Sequence, residues 1–224
     1  MSLHEPPDKI LNIRKPVGWT SYDTIRWLQK RLGRIKMGHA GTLDPFAEGV
    51  LLICLGRATK RTSQLMELKK EYQARISLGV ETDTLDVTGR VTERKSVPRL
   101  QSGDLQALAA RYTGDIEQIP PAYSAVKVNG TRSYRLARKG VAVQPRRRRV
   151  RVFKLEFFDI QPPEVSFRVV CSKGTYIRAL ARDMAHDLGT VAFTRTLRRV
   201  RIGPYRFSAS RELDDRFAAD MIWT

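Results

Sequence analysis

The sequence predicts an α+β domain built around a mixed sheet, and three observations carry that reading. Val50 to Leu55 is an unbroken apolar run, the mark of a strand covered on both faces. Tyr72, Ala74, Ile76 and Leu78 alternate with polar residues, as in a strand with one buried face. Between Thr175 and Leu188, apolar Ile177, Leu180, Met184 and Leu188 recur at helical spacing, with Gly189 behind them. Strand-like and helix-like segments follow one another without a strict βαβ rhythm, which argues against a doubly wound parallel sheet.

The elements can be justified in order. Ile10 to Arg14 reads as a short strand. Ser21 is placed to cap a helix carrying Ile25, Leu28 and Leu32 on one face, closed by Gly33. Lys36 to Glu48 reads as a loop, with Gly38, Gly41 and Pro45 in it. A basic helix is expected around Ala58 to Leu68, after the apolar strand. Asp104 to Tyr112 is helical by pattern and stopped by Gly114. Pro120-Pro121 opens a segment with an Asn129-Gly130 turn and a short helix from Ser133 to Arg138, capped by Gly140. Val150 to Phe158 and Val165 to Cys171 read as paired strands joined at Pro162-Pro163. Val200 to Phe207 is expected as the last strand, and Glu212 as the start of a terminal helix.

Composition excludes several classes of function. Hydrophobic residues make up 42% of the 224, enough for a core and too many for wholesale disorder. No apolar run approaches the ~20 residues of a membrane helix. The N-terminus lacks the basic and apolar regions of a signal peptide. The two cysteines, Cys54 and Cys171, sit in strand-like runs and read as core residues of a reduced, cytoplasmic protein. His4, His39 and His186 are far apart with no Cys/His cluster, so no metal site is expected.

The net charge is +18, and it is unevenly placed. Gln118 to Leu155 carries eleven Lys/Arg and no acid. Lys173 to Arg211 carries nine basic residues against Asp183 and Asp187, a net of +7. The remainder is neutral. Such a distribution calls for a polyanionic partner and a continuous basic surface rather than a tail. The run Arg146 to Arg149 leads into Val150, Val152 and Leu155 at strand spacing, so it reads as the approach to a strand.

The densest chemistry lies in Gly38-His39-Ala40-Gly41-Thr42-Leu43-Asp44-Pro45. Two glycines let backbone approach a ligand. Asp44 stands between apolar Leu43 and a rigid proline, which disfavours helical geometry there. By spacing alone Asp44 is either a turn device or a catalytic carboxylate. No Ser-His-Asp order, metal-ligand spacing or phosphate-cradling glycine loop is present elsewhere, nor the glycine-rich turn of a cofactor-dependent RNA methyltransferase.

This octapeptide, with Gly49 to Gly56 and Ala58-Thr59-Lys60, closely resembles the signature of the TruB family of bacterial tRNA pseudouridine-55 synthases. Three more blocks resemble the family in order. They are Lys70-Glu71-Tyr72 with Gly79 to Thr84 and Asp86; Gln118 to Lys127 with Gly130, Tyr134, Ala137-Arg138 and Gly140; and Cys171 to Arg178, followed by Leu197-Arg198-Arg199. The resemblance runs from about Ile10 to Phe207.

The resemblance implies one pseudouridine-synthase-type catalytic domain over residues 1–224, with a central mixed, mostly antiparallel sheet flanked by helices. It implies a thumb-like, RNA-gripping insertion at about 118–149. It further implies breakage of the C1′–N1 bond of a uridine in the T-loop of tRNA (position 55) and rejoining through C5, with no cofactor and no metal. Asp44 would be the nucleophile, at C1′ or at C6, and Arg178 would hold it ionised. Tyr72 would lie against the base and take part in proton transfer at C5, although the residue alone reads as a core tyrosine. Leu197 would pack on the other side of the base and Tyr176 would line the pocket, with core packing the alternative for both. His39 would support the space left by the flipped base, an extrusion costing a few kcal/mol. Lys127, Arg132, Arg135, Arg146, Arg147, Arg148 and Arg149 would contact phosphates of the T-arm stem-loop. A monomer is expected. Many members continue into a C-terminal PUA domain. This chain ends at Thr224, with 208–224 read as a short extension, either of a short form or of a truncated piece. A non-catalytic RNA-binding or RNA-chaperone protein of the same fold is the alternative. Glu48 is a second acid near Asp44 for which the sequence supplies no account.

Overall fold

A computed structural model describes residues 8–33, 35–124, 126–128, 130–143 and 145–214, without the side chains of 102, 127, 128, 132 and 138. The chain divides into two compact units. One holds the residues up to Tyr72 together with those from Arg198 on; the other is Gln73–Leu197.

The first unit opens with β1 (Ile10–Lys15), α1 (Ser21–Leu32), β2 (Met37–His39) and β3 (Glu48–Leu55). A 3-10 turn, Gly56–Arg61, leads to α2 (Thr62–Glu67), and β4 (Lys70–Leu78) carries the chain onward into the second unit. β3 is the centre: it pairs antiparallel with β1 and with β2. Its apolar run buries both faces, as its composition demands. Leu51, Ile53 and Leu55 pack with Leu11, Ile13, Ile25, Leu28 and Leu32, while Val50, Leu52 and Cys54 pack with Ala40, Ala58, Leu65 and Ile202. Each such aliphatic chain contributes about 1.5–3 kcal/mol of burial free energy.

Three local expectations are corrected by the structure. Thr20, not Ser21, caps α1, in a capping box with Asp23: the Asp23 N–H donates to Thr20 Oγ1 at 3.0 Å and the Thr20 N–H donates to Asp23 Oδ2 at 2.8 Å. The Thr20 hydroxyl, which donates to Asp23 Oδ2 at 2.6 Å, together with the Thr20 N–H and Arg26, pushes the Asp23 carboxyl down to about 2. Between Lys36 and Glu48, the stretch read as loop contains β2, whose register on β3 runs Met37↔Leu55 to His39↔Ile53. The helix expected from Ala58 begins instead as the 3-10 turn.

The second unit continues through β5 (Val80–Thr82), β6 (Val91–Arg94), α3 (Ser102–Arg111) and β7 (Gly114–Gln118). Then come β8 (Lys127–Val128), β9 (Thr131–Arg132), α4 (Ser133–Arg138), β10 (Arg148–Gln161), β11 (Glu164–Cys171) and α5 (Ile177–Asp187). β4, β11, β10 and β7 lie side by side in that order, and β10 is antiparallel to both neighbours. Phe167 and Phe157 meet edge to face at 6.0 Å in the β10–β11 pair. Ile177, Leu180, Ala181 and Met184 of α5 are buried, as the helical period requires.

β12 (Ala192–Ile202) returns the chain to the first unit and turns back as β13 (Tyr205–Arg206). The last strand therefore starts eight residues before Val200, because Ala192, Thr194 and Leu197 are buried in a segment whose arginines hide the alternation. Within the first unit β12 pairs with β3 in parallel, so that sheet is mixed. Glu212 starts no helix among the described residues, and the rest of the expected terminal helix, 215–224, lies outside them. Cys54 and Cys171 are buried and not disulfide-bonded, and burial pushes the Cys54 thiol up.

Candidate active site

Asp44 sits half-buried in the loop between β2 and β3, and that loop is braced from four elements. From α1, Ser21 Oγ accepts the Leu43 N–H at 3.0 Å and donates to the Leu43 carbonyl at 3.3 Å. Displacement of Ser21 from the cap position is what frees it for this task. From the end of β1, Lys15 Nζ reaches the Pro16 and Trp19 carbonyls at 2.6 Å each and Pro45 O at 3.4 Å. Close by, the Gly18 N–H donates to Pro45 O at 2.8 Å, and the Ala40 N–H to Leu52 O of β3 at 2.9 Å. From β12, Arg199 Nη2 donates to Gly41 O at 3.1 Å and Nη1 to Thr42 O at 3.3 Å.

Lys15 and Arg199 are 0% and 1% exposed. Burial pushes the Lys15 ammonium down to about 8; the nearby Asp44 charge resists that shift, and Arg199 reinforces it. The sequence alone assigns a role to neither residue, although Arg199 stands in one of the resembling blocks. The only signal for Lys15 is a cation ending an otherwise apolar-faced strand before Pro16. Arg199 was hidden within a run of arginines.

Arg199 also bonds Val50 O at 2.7 Å, and its guanidinium carbon lies 6.0 Å from the ring centroid of buried Tyr72. The loop of Asp44 and the strand tyrosine thus share one rigid support. Gly49 permits the arrangement. It holds φ +122° against the Arg199 backbone, where any Cβ would collide. Glu48 now has its account: Arg198, its register partner on β12, binds it through Nη2 at 2.5 Å and Nε at 2.6 Å. His39, at the end of β2, is half-buried in the same unit.

In the second unit Arg178 heads α5 and is 3% exposed. Its Nη1 lies 3.3 Å from Asp86 Oδ2 and 2.6 Å from Thr84 O, and Nη2 donates to Tyr123 O at 3.0 Å. Asp86 is fixed in turn by Thr84 Oγ1 at 2.9 Å, the Thr88 N–H at 3.0 Å and Thr88 Oγ1 at 2.6 Å. The guanidinium is thus buried and oriented by one carboxylate and two carbonyls. Tyr176 is the residue just before α5, with its ring 5.4 Å from the Arg148 guanidinium carbon. Leu197 is buried in β12 at 5% exposure.

The basic insertion leaves the sheet at Gln118 and rejoins it at Arg148, and those two residues are cross-strand partners. Arg135, Arg146, Arg147 and Arg149 are exposed and Arg148 is half-buried; the side chains of Lys127 and Arg132 lie outside the described ones. The register tempers the acid-free count. Glu117 on β7 faces Arg149 at 3.6 Å and Arg147 at 3.8 Å, and Asp115 faces Arg151 at 3.9 Å. Among the described residues no group of His, Cys, Asp and Glu could hold a metal, and no helix is long and apolar enough to cross a membrane.

Comparison with known proteins places this geometry in a family. The model for "TruB family pseudouridylate synthase (N terminal domain)" matches residues 29–177. The chain belongs to the TruB family of pseudouridylate synthases. It is 44% identical over 207 residues to the tRNA pseudouridine synthase B of Clostridium kluyveri, covering 92% of this chain and 71% of that one. To the tRNA pseudouridine synthase B of Bordetella avium it is 40% identical over 212 residues, covering 94% and 87%. Among solved structures, a Cbf5-Nop10-Gar1 complex contains a chain matched with TM-score 0.71 at 32% identity, over 92% of this chain and 53% of that one. An H/ACA RNP bound to a substrate RNA containing 2′-deoxyuridine contains one matched with TM-score 0.67 at 29% identity, over 91% and 50%. The chain thus spans about half the length of those structural relatives and about seven-tenths or more of these two curated ones.

Proposed function

We propose that this chain is a tRNA pseudouridine synthase, converting uridine to pseudouridine in the T-loop at position 55, and that Asp44 is its nucleophile. The observation that carries the reading is the bracing of the loop backbone around Asp44 by α1, β1, β3 and β12 within a chain whose relatives are named for this reaction. A carboxylate carried on so firmly held a loop suits attack on a positioned atom.

The chemistry needs no net redox change. The C1′–N1 bond breaks, the base turns, C5 joins C1′, the C5 proton leaves and N1 is protonated. Asp44 attacks at C1′ or C6, Arg178 serves as the cation that keeps the carboxylate ionised in the reaction, and Tyr72 lies against the base and assists at C5. Tyr176 and Leu197 line the pocket, and His39 supports the vacated position in the RNA. Support for these roles is geometric: Tyr72 and Asp44 share the Arg199 support, and Arg178 is buried and pre-oriented by Asp86. The exposed arginines of the insertion supply phosphate affinity rather than base choice. Residues 1–224 read as one catalytic domain, acting as a monomer in the reducing cytoplasm that two cysteines outside any disulfide suit.

The experiment is a T-arm minihelix incubated with Asp44→Asn and with wild type, and pseudouridine mapped at single-nucleotide resolution. Wild type is expected to modify position 55. The variant is expected to bind the RNA and make no pseudouridine. Substantial product from Asp44→Asn would sink the mechanism, and binding without turnover by wild type would favour an RNA-chaperone role.

A further inference from the structure

Where the basic insertion leaves β7, one buried side chain does work that the roles above leave unassigned. Gln118 is 1% exposed, and its amide faces the backbone of Tyr176. The amide oxygen accepts the Tyr176 N–H at 3.1 Å and the amide nitrogen donates to the Tyr176 carbonyl at 3.3 Å. Two bonds from one planar group to the two backbone groups of one residue fix both its place and its rotation. Tyr176 is the N-cap residue of α5 and its own side chain caps nothing, so Gln118 takes over the anchoring of the helix start.

The joint has further members. Arg178 Nη2 reaches Tyr123 O at 3.0 Å and Arg182 Nη2 reaches Ile119 O at 3.1 Å, so α5 grips the same departing segment at two more points. On the returning side stands Arg148, the register partner of Gln118, with its guanidinium over the Tyr176 ring. Arg148 Nε is buried with no hydrogen-bond partner among the described residues. Both ends of the insertion thus hold Tyr176, one by backbone and one by ring. Two residues further on stands Arg178.

We propose that Gln118 is a positioning residue for the isomerisation: with Arg148 it sets Tyr176 and the head of α5, and so fixes the register between RNA gripped by residues 119–147 and the Arg178 guanidinium. This rests on the function proposed above. The test uses Gln118→Met, which keeps shape and loses both bonds, and Gln118→Glu, which keeps the acceptor for the Tyr176 N–H and loses the donor. Three readouts are the Kd for a T-arm minihelix, the single-turnover rate at saturating RNA, and amide hydrogen exchange at Tyr176. In Gln118→Met the rate is expected to fall by about tenfold or more with Kd within about twofold, because misplacement penalises the reacting geometry rather than association. Exchange at Tyr176 should quicken in the same variant. Gln118→Glu should retain that protection and show an intermediate rate. A folded Gln118→Met with the wild-type rate, or with rate and affinity lost in proportion, overturns the proposal. Should that variant fail to fold, wild-type rate in Gln118→Glu overturns it alone. An inactive wild type would refute the proposed function instead, and the exchange result would then decide the joint by itself.

Discussion

Arg199 stands beneath Tyr72 with its guanidinium carbon 6.0 Å from the ring centroid while the same group holds the carbonyls of Gly41, Thr42 and Val50. One buried side chain therefore couples a tyrosine on β4 to the loop of Asp44. Arg199→Met should leave three carbonyls without their donor, destabilising the fold by about 2–4 kcal/mol at roughly 1 kcal/mol or more per lost bond. It should also slow single turnover more than it weakens tRNA binding. Urea melts and single-turnover assays check this; a stable variant with unaltered rate would show that the loop holds itself.

Asp86 is the second lever. It faces Arg178 at 3.3 Å with both side chains almost wholly buried. Asp86→Ala removes the carboxylate that orients the guanidinium and leaves buried positive charge less compensated, a change expected to cost roughly 3 kcal/mol. Asp86→Asn, which keeps the shape, should be the more stable of the two and still slower than wild type. Equal melting midpoints for wild type and Asp86→Ala would contradict the ion pair's role.

Lys15 makes stability depend on pH in a definite direction. Its ammonium titrates near 8 in the fold and at 10.5 in its ordinary environment. Below pH 8 both folded and unfolded chains are charged, and burial of the charge opposes folding in full. Between 8 and 10.5 the unfolded chain binds more protons, so this group's contribution to unfolding free energy rises with pH, and above 10.5 the gain is complete. The wild-type stability minus that of Lys15→Met should therefore increase across that window. Urea melts of the pair at about pH 7 and about pH 10 measure it, and a constant difference would sink the assignment.

Neutralising Arg146, Arg147 and Arg149 to Gln should weaken tRNA binding and flatten its salt dependence. Three phosphate contacts would lower the log–log slope by roughly 2–3. The ion pairs of Arg147 and Arg149 with Glu117 argue for the smaller change, since those cations are already partly compensated in the free protein. Binding isotherms at several salt concentrations decide it; an unchanged slope would remove the run from the RNA-binding surface.

Much of this was legible beforehand. The buried strand Val50 to Leu55, the alternation from Tyr72 and the period of α5 all follow from apolar spacing, and the structure places strands and a helix there. The motif around Asp44 and its reading as a chemical loop came from residue types and resemblance. What stayed hidden was long-range. Nothing near Lys15 shows that it ends under Pro45, and nothing near Arg199 shows that its donors serve residues 41, 42 and 50. Likewise the acids Asp115 and Glu117 lie just outside the basic segment in sequence and opposite it in the sheet. The start of β12 was missed because exposed arginines interrupt its apolar alternation.

The parallel contact of β12 with β3 has a consequence for synthesis. Arg198 pairs with Glu48 and Arg199 with Gly49, so the brace on the Asp44 loop is separated from that loop by some 150 residues of chain. During translation the carboxylate is made early and its support late. Closing so long a loop carries an entropic penalty that local contacts do not. A nascent chain that has not yet released Arg199 from the ribosome lacks the clamp on Gly41 and Thr42, however well its amino-terminal strands have formed. On the proposed function, catalytic competence arrives only once Arg199 has been made and seated, and an RNA encountered before then meets basic surface without a finished reaction centre.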